Sequence, residues 1–384
     1  MALNIDELRL RARRKLPRAV FDFIDGAAED EVTLRRNRDA FGRHALVPRI
    51  GVDVSSVDLA TTVLGQRLAA PLVLAPTGLC GMATSRGEIP SARAATEAGV
   101  PWTASCMSSV RLEEIVREAP GDHWFQLYVW KDRAVTQALV ERAAASGYRI
   151  LVVTLDVPVL GQRERDVKSG ATIPPRLTLR NALDTLRCPR WLWTIWRGPR
   201  VTFANVTAAD PSVGLNPFAL APFVNSLFDP TVTWKDLAWM RQLWRGPMAV
   251  KGVMSGEDAR LSVEHGADAV IVSNHGGRQL DGASGSLEVL PEVVDAVGSR
   301  AEIILDGGIR RGTDMAKALA LGARACMAGR PYLYGLAVAG QAGVADAIRI
   351  LTTELGRAMA LMGCRRIADL GRGCLRPAGE ELPR

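Results

Sequence analysis

Eight short apolar runs, each followed by a stretch of mixed polarity long enough for a helix, most constrain how this chain of 384 residues folds. The runs cover residues 71–76 (PLVLAP), 102–106 (WTASC), 124–129 (WFQLYV) and 150–156 (ILVVTLD). They continue at 248–252 (MAVKG), 269–274 (AVIVSN), 302–308 (EIILDGG) and 325–330 (ACMAGR). Helix-length stretches between them include 87–98, 110–118, 134–146, 256–265 and 313–321. Strands that alternate with helices pair in parallel, and eight such units close into a barrel. An open doubly wound sheet is the alternative. It usually needs fewer strands, and no G-x-G-x-x-G follows the first run. The expected fold is therefore α/β, a (β/α)8 TIM barrel in a single domain, residues 1–384. N-terminal helices occupy residues 1–65, the barrel 66–370 and a tail 371–384.

Asn4 is placed to cap a first helix carrying Leu8, and Pro17 to start a second through Phe21, Phe23 and Ile24. This helical segment is expected to cover one end of the barrel. One stretch breaks the rhythm: an insertion after strand four, residues 168–233, with no strand–helix alternation. A structureless loop of that length in a compact domain is usually functional. Trp191, Trp193 and Trp196 stand among Arg187, Arg190, Arg197 and Arg200, a composition suited to a lipid headgroup layer. The insertion 168–233 reads as a lid, a membrane-surface patch or a subunit contact, with the peripheral membrane contact made through 186–200.

Composition narrows the function. The net charge is +7, but no Lys/Arg-rich block marks a nucleic-acid surface. The six cysteines have no zinc spacing, so no metal is expected. The N-terminus has no apolar core of a signal peptide, and no run is long enough to span a bilayer. The expected location is the cytoplasm, with peripheral contact on the inner face of the cell membrane as a further option.

The chemistry gathers at strand ends. Residues 273–282 (SNHGGRQLDG) follow the sixth run and place His275 three residues before Arg278, with two glycines between. A histidine exchanges protons near neutral pH, and an arginine matches a carboxylate with a planar fork. Together they point to a site that grips a small acid and moves a proton on it. Other strand ends supply Pro76, Thr77, Gly78, Gln126, Tyr128, Thr154, Asp156 and Lys251. The last two runs end in Asp306-Gly307-Gly308-Ile309-Arg310 and Gly329-Arg330. Loops after strands seven and eight commonly build a phosphate site in this fold, with backbone N–H groups and arginines as partners.

These motifs, in this order and over nearly the whole chain, resemble the FMN-dependent α-hydroxy-acid oxidase/dehydrogenase family, which includes glycolate oxidase, L-lactate dehydrogenase and mandelate dehydrogenase. Gly78-Leu79, the Pro-Arg-Trp of the insertion and Phe228-Asp229-Pro230 with Trp234 are most like the bacterial lactate and mandelate dehydrogenases. The resemblance implies FMN as cofactor and oxidation of an L-2-hydroxy acid to the 2-oxo acid. It makes His275 the base, removing a proton from carbon or hydroxyl, and pairs Asp156 with it. Arg163 and Arg278 hold the substrate carboxylate, Tyr128 bonds near the reacting oxygen, and Lys251 stabilises the reduced flavin. Ser105, Gln126, Thr154 and Ser273 bond the flavin, and Arg310 and Arg330 take its phosphate. A homotetramer is expected by the same analogy. The acceptor is a quinone, an electron carrier or O2, and Gly78, where oxidases often carry Ala, leans toward a dehydrogenase.

Two departures bear on the substrate. Phe23 stands where the family usually has a substrate-binding Tyr, and Met107 where glycolate oxidase has a pocket Trp. Either drift or a larger, more apolar substrate accounts for them, and a natural-product or peptide-derived substrate is the alternative. A non-catalytic flavin-binding protein would require loss of His275, Asp156 or Arg278, and all three are present.

Overall fold

A computed structural model describes residues 2–170, 178–207 and 228–378. The eight apolar runs form eight strands: β1 Leu72–Leu74, β2 Thr103–Ser105, β3 Trp124–Tyr128, β4 Ile150–Thr154, β5 Met248–Val253, β6 Ala269–Val272, β7 Glu302–Asp306 and β8 Ala325–Ala328. Each pairs in parallel with its neighbours, β1 lying against β8. A single parallel bridge between Leu74 and Trp102, with Leu74 N–H donating to the Pro101 carbonyl at 2.9 Å, closes β1 onto β2. The barrel expected from the sequence is thus present.

Side chains alternate along a strand, so every second residue points into the barrel. Ile150 and Val152 of β4, Ala269 and Ile271 of β6, and Ile304 of β7 share one buried apolar cluster inside it. Continuing each row by two residues reaches Thr154, Ser273 and Asp306, and the same step from Ala249 on β5 reaches Lys251. The barrel is therefore apolar below and polar at its C-terminal mouth. Its lower end is closed by a hairpin, residues Thr61–Val63 and Gln66–Leu68, whose Val63 and Leu68 join the interior cluster.

The N-terminal helices pack beside the mouth. In α1, Ile5–Lys15, the Asn4 side chain accepts from Glu7 N–H at 2.8 Å, as expected of its cap. Pro17 precedes α2, Arg18–Asp25. The third, α3, Val32–Gly42, is capped from far along the chain: the Asp281 carboxylate accepts from Val32 N–H at 3.1 Å and Thr33 N–H at 2.7 Å. Such a carboxylate satisfies orphan donors and favours the helix dipole. Within α3, Asn37 exchanges two hydrogen bonds with Asn274, of 2.8 and 2.9 Å, and accepts a third from Ser286 N–H at 3.0 Å.

The described residues of the insertion include two short helices. Thr178 caps α4, Leu179–Leu186, and Pro189 opens α5, Pro189–Arg197. These short helices stand where a structureless loop is expected. Local capping and a proline at the first turn nucleate them, and Trp191 fastens the second by donating to the Met82 carbonyl at 2.8 Å. Most of the Pro/Asn/Ala stretch that follows lies outside the described residues. A final helix, α6, Arg330–Leu361, breaks at Ala339–Gly340, and residues Leu375–Pro377 pair antiparallel with His44–Leu46.

Because Asn37 is buried and joins α3 to the β6 loop, Asn37→Ala should lower stability by about 1–3 kcal/mol by stranding polar groups. Thermal unfolding of the FMN-loaded protein measures this, and an unchanged Tm would remove the joint from the account of the fold.

Candidate active site

The mouth holds a cavity of about 600 Å³. It is lined by every site residue expected from the sequence except Asp156 and Ser273. Those two stand one layer behind. A wider groove of about 930 Å³ opens elsewhere, beside Asp58, Arg300 and Arg324, and none of the expected site residues line it.

Across the floor runs a buried charge pair. Lys251 Nζ lies 2.7 Å from an Asp306 oxygen and 2.8 Å from Ser273 Oγ, which itself donates to Asp306 at 2.8 Å. Burial alone pushes the Asp306 carboxyl up. The Lys251 ammonium and the hydrogen bonds from Lys251 and Ser273 outweigh it and hold the group below its ordinary range. Lys251 thus places a positive charge, fixed by its neighbours, against the cavity.

The Ser273 hydroxyl also accepts from His275 N–H at 3.1 Å, tying the floor to the His275 loop. There the backbone turns through three consecutive left-handed residues, His275, Gly276 and Gly277, with φ of 57°, 67° and 77°. A Cβ on Gly277 would fall 2.7 Å from Leu34 N, so only glycine lets the loop pass α3. This turn directs the imidazole so that Nδ1 lies 3.0 and 3.1 Å from the two Asp156 oxygens. Asp156 thereby fixes the orientation of the ring.

Two guanidinium groups share one aromatic ring. Arg278 and Arg163 sit 5.3 and 5.8 Å from the centre of Phe23. Arg278 also donates to the Phe23 and Gly26 carbonyls at 2.8 and 3.0 Å. Its burial, together with the charges of Arg163 and Arg330, lowers its pKa well below the usual value. Crowded cations in a desolvated pocket call for an anion. Tyr128 packs edge-on against Trp130 and Phe228, and burial raises its hydroxyl pKa.

Four buried polar atoms on the walls lack a partner among the described residues: Gln126 Nε2, Thr154 Oγ1, Asp166 Oδ1 and Arg310 Nε. Buried polar groups are normally satisfied, so four orphans lining one cavity mark the outline of a polar ligand. At the far end, Gly307 and Gly308 have φ of 112° and 80°, and a Cβ on Gly308 would meet Asn37 O at 2.1 Å. Residues 12–377 match the FMN-dependent dehydrogenase family.

The chain belongs to that family. It is 46% identical to an L-lactate oxidase of Nostoc sp., over 96% of each chain. An L-lactate dehydrogenase of Caulobacter vibrioides is 43% identical, over 98% of each. The solved structure of a monotopic membrane protein, (S)-mandelate dehydrogenase, superposes with a TM-score of 0.93 at 39% identity, covering 98% of this chain and 99% of that one. The family's cofactor, FMN, fits the cavity: the orphans on Gln126 and Thr154 suit a heteroaromatic ring and polyol, and the glycine cradle with Arg310 suits a phosphate.

The arginines expected at the phosphate differ in availability. Arg330 donates to the carbonyls of Ile24, Gly276 and Gly26 at 3.2, 2.9 and 2.8 Å, which ties α2 to the His275 loop. Among the described residues, Arg310 Nη1 bonds only its neighbour Ile309, and its Nε has no partner. Sequence reasoning also missed wall residues. Leu160, Phe203 and Phe228 add apolar surface, and the buried Asp166 stands 3.6 Å from Arg163. These positions sit in or beside the insertion, and only the Phe228-Asp229-Pro230 motif gave any signal.

Arg310→Ala should weaken FMN binding roughly 10- to 100-fold, the loss of one charge-assisted hydrogen bond. Arg330→Ala should instead lower Tm more than Arg310→Ala does. Fluorescence titration of the apoprotein and thermal melts separate the two roles, and equal effects on both readouts would reject the division.

Proposed function

We propose that this FMN-dependent enzyme oxidises the L form of a 2-hydroxy acid with a bulky apolar side chain, and that His275 is its base. The observation that carries the reading is the His275–Asp156 pair facing Arg163 and Arg278 across one cavity. The FMN supplies a two-electron sink when bound. Arg163 and Arg278 grip the substrate carboxylate through forked, charge-assisted hydrogen bonds. Nε2 of His275 takes the proton from the substrate's α-carbon or hydroxyl. Asp156 steadies the imidazolium that results, as a carboxylate does for a catalytic histidine. Tyr128, on the cavity wall, orients the reacting oxygen. Asp306 and Ser273 hold the Lys251 ammonium in place, so positive potential stands ready without reorganisation.

The substrate class rests on the walls. Leu79, Met107, Val157, Leu160 and Phe228 surround the space beside Phe23 with apolar surface. A mandelate-like acid buries more of that surface than lactate does. Phe23 lacks the hydroxyl that would bond the carboxylate, and two guanidinium groups over its ring replace that contact. Gly78 bears on the acceptor: a Cβ there would lie 2.9 Å from Met107 Cβ, so a methyl would displace the methionine.

The acceptor we propose is a membrane quinone, reached by peripheral binding through α4 and α5. Leu183, Leu186, Trp193 and Trp196 are exposed on these helices. Trp193 and Trp196 stack 5.6 Å apart, with the Arg197 guanidinium 4.1 Å over Trp193. Apolar and aromatic residues bordered by arginines suit an anionic headgroup layer. The similar mandelate dehydrogenase structure is of a monotopic membrane protein.

His275→Ala should slow anaerobic flavin bleaching by an L-2-hydroxy acid by about 10²–10⁴-fold while FMN stays bound. Bleaching at the wild-type rate would sink the assignment of the base. A panel running from lactate to mandelate and long-chain acids reads the substrate, and inertness to all would move it to a natural-product or peptide-derived hydroxy acid. Separately, the protein should sediment with anionic phosphatidylglycerol vesicles, and Trp193→Ser with Trp196→Ser should release it. Retention by the double variant would place membrane contact elsewhere or remove it.

A further inference from the structure

Far from the cofactor cavity, Cys364 follows the last helix and Cys374 immediately precedes the strand Leu375–Pro377. Both are free thiols, and their sulfurs lie 3.9 Å apart. Each also stands 3.7 Å from the carbonyl oxygen of Asp369, at the centre of the turn between them. The two backbones are anchored. Cys364 N–H donates to Met359 O, and Cys374 O accepts from Val47 N–H, both at 2.9 Å. Cys364 is 3% exposed, whereas Cys374 is only half-buried. The remaining thiols, Cys80, Cys106, Cys188 and Cys326, are all buried, and no hydrogen bond joins any of them to another cysteine among the described residues.

A reachable thiol beside a buried one, both on fixed backbone, is the arrangement of an oxidisable thiol with its resolving partner. We propose that Cys364 and Cys374 are a modification site, a dithiol that a hydroperoxide converts into a disulfide. The bond ties the C-terminal strand to the end of the last helix. That strand pairs with His44–Leu46, which directly follows α3, so the oxidised form fastens the edge of the helical cap.

The chemistry balances with hydrogen peroxide as oxidant. The Cys374 sulfur attacks the O–O bond. An S–O bond forms, the O–O bond breaks, and the departing oxygen leaves as water with the thiol proton. The Cys364 sulfur then attacks the Cys374 sulfenic sulfur. An S–S bond forms, the S–O bond breaks, and hydroxide leaves as water with the Cys364 proton. Two thiols lose two electrons in all, and one peroxide becomes two waters. Burial pushes the Cys364 thiol up to about 11, with Cys374 adding to the effect, so attack begins at the exposed partner.

The test uses the full FMN-loaded chain, treated with stoichiometric hydrogen peroxide, then denatured, alkylated with iodoacetamide and digested with trypsin. Cleavage after Arg365 and Arg372 puts the cysteines on separate peptides, residues 358–365 and 373–384. The expected result is a linked pair of these peptides that dithiothreitol separates, with free thiols falling from six to four. Cys374→Ser should keep its other thiols free at the same dose. Six free thiols after treatment, a link through another cysteine, or equal thiol loss in Cys374→Ser would each overturn the proposal. None of these readouts depends on substrate or acceptor.

Discussion

The left-handed turn at His275, Gly276 and Gly277 sets the terms for the rest of the site. A non-glycine residue in that region costs about 1–2 kcal/mol, and here His275 bears it. Such strain persists only where the surroundings over-determine it. Ser273 holds the His275 amide, Asn274 is locked to Asn37, and Gly277 N–H donates to the Asn274 side chain at 3.1 Å. Arg330 binds the Gly276 carbonyl, and Ala28 N–H donates to Gly277 O at 2.9 Å. The N-terminal helices are thus part of the apparatus that aims the imidazole.

Electrostatics follow from the same layering. The barrel's inward rows are apolar until the last step, where Thr154, Lys251, Ser273 and Asp306 appear together. Above them stand Arg163, Arg278, Arg310 and Arg330. The carboxylates near these cations are few, and Asp306 and Asp156 are committed to Lys251 and His275. A mouth with surplus, partly desolvated positive charge fits a family whose members bind a cofactor phosphate and a substrate carboxylate at once.

Much of this was legible in the sequence because it depends on period and on strand ends. All eight apolar runs became barrel strands, and helices such as Glu88–Glu97 and Gly256–Glu264 fall within the expected stretches. The cavity residues were legible for the same reason, since a barrel brings its strand ends to one face. Three-residue strands carry no period, so the hairpin that plugs the barrel's lower end was not. The helices of the insertion hid behind an irregular composition. The three carbonyls that hold Arg330 were not legible, because sequence shows a charge but not the neighbours it binds. The Asp156–His275 pairing was legible from the family motif, whereas the hydrogen bonds of Ser273 to Lys251, Asp306 and the His275 amide were not, because a linear motif carries no distances.

The barrel's seam has a consequence for how the chain is made. β1 takes three register partners from β8 but only a single bridge from β2. Its lasting ladder therefore lies some 250 residues downstream, at Cys326, Met327 and Ala328. During synthesis the early strands present an unfinished edge until the last βα unit emerges. The hairpin at Thr61–Leu68 and the strand beside it wait for a partner made near the end, so closing the ring carries the loop-closure cost of most of the chain and joins both halves of the cofactor mouth.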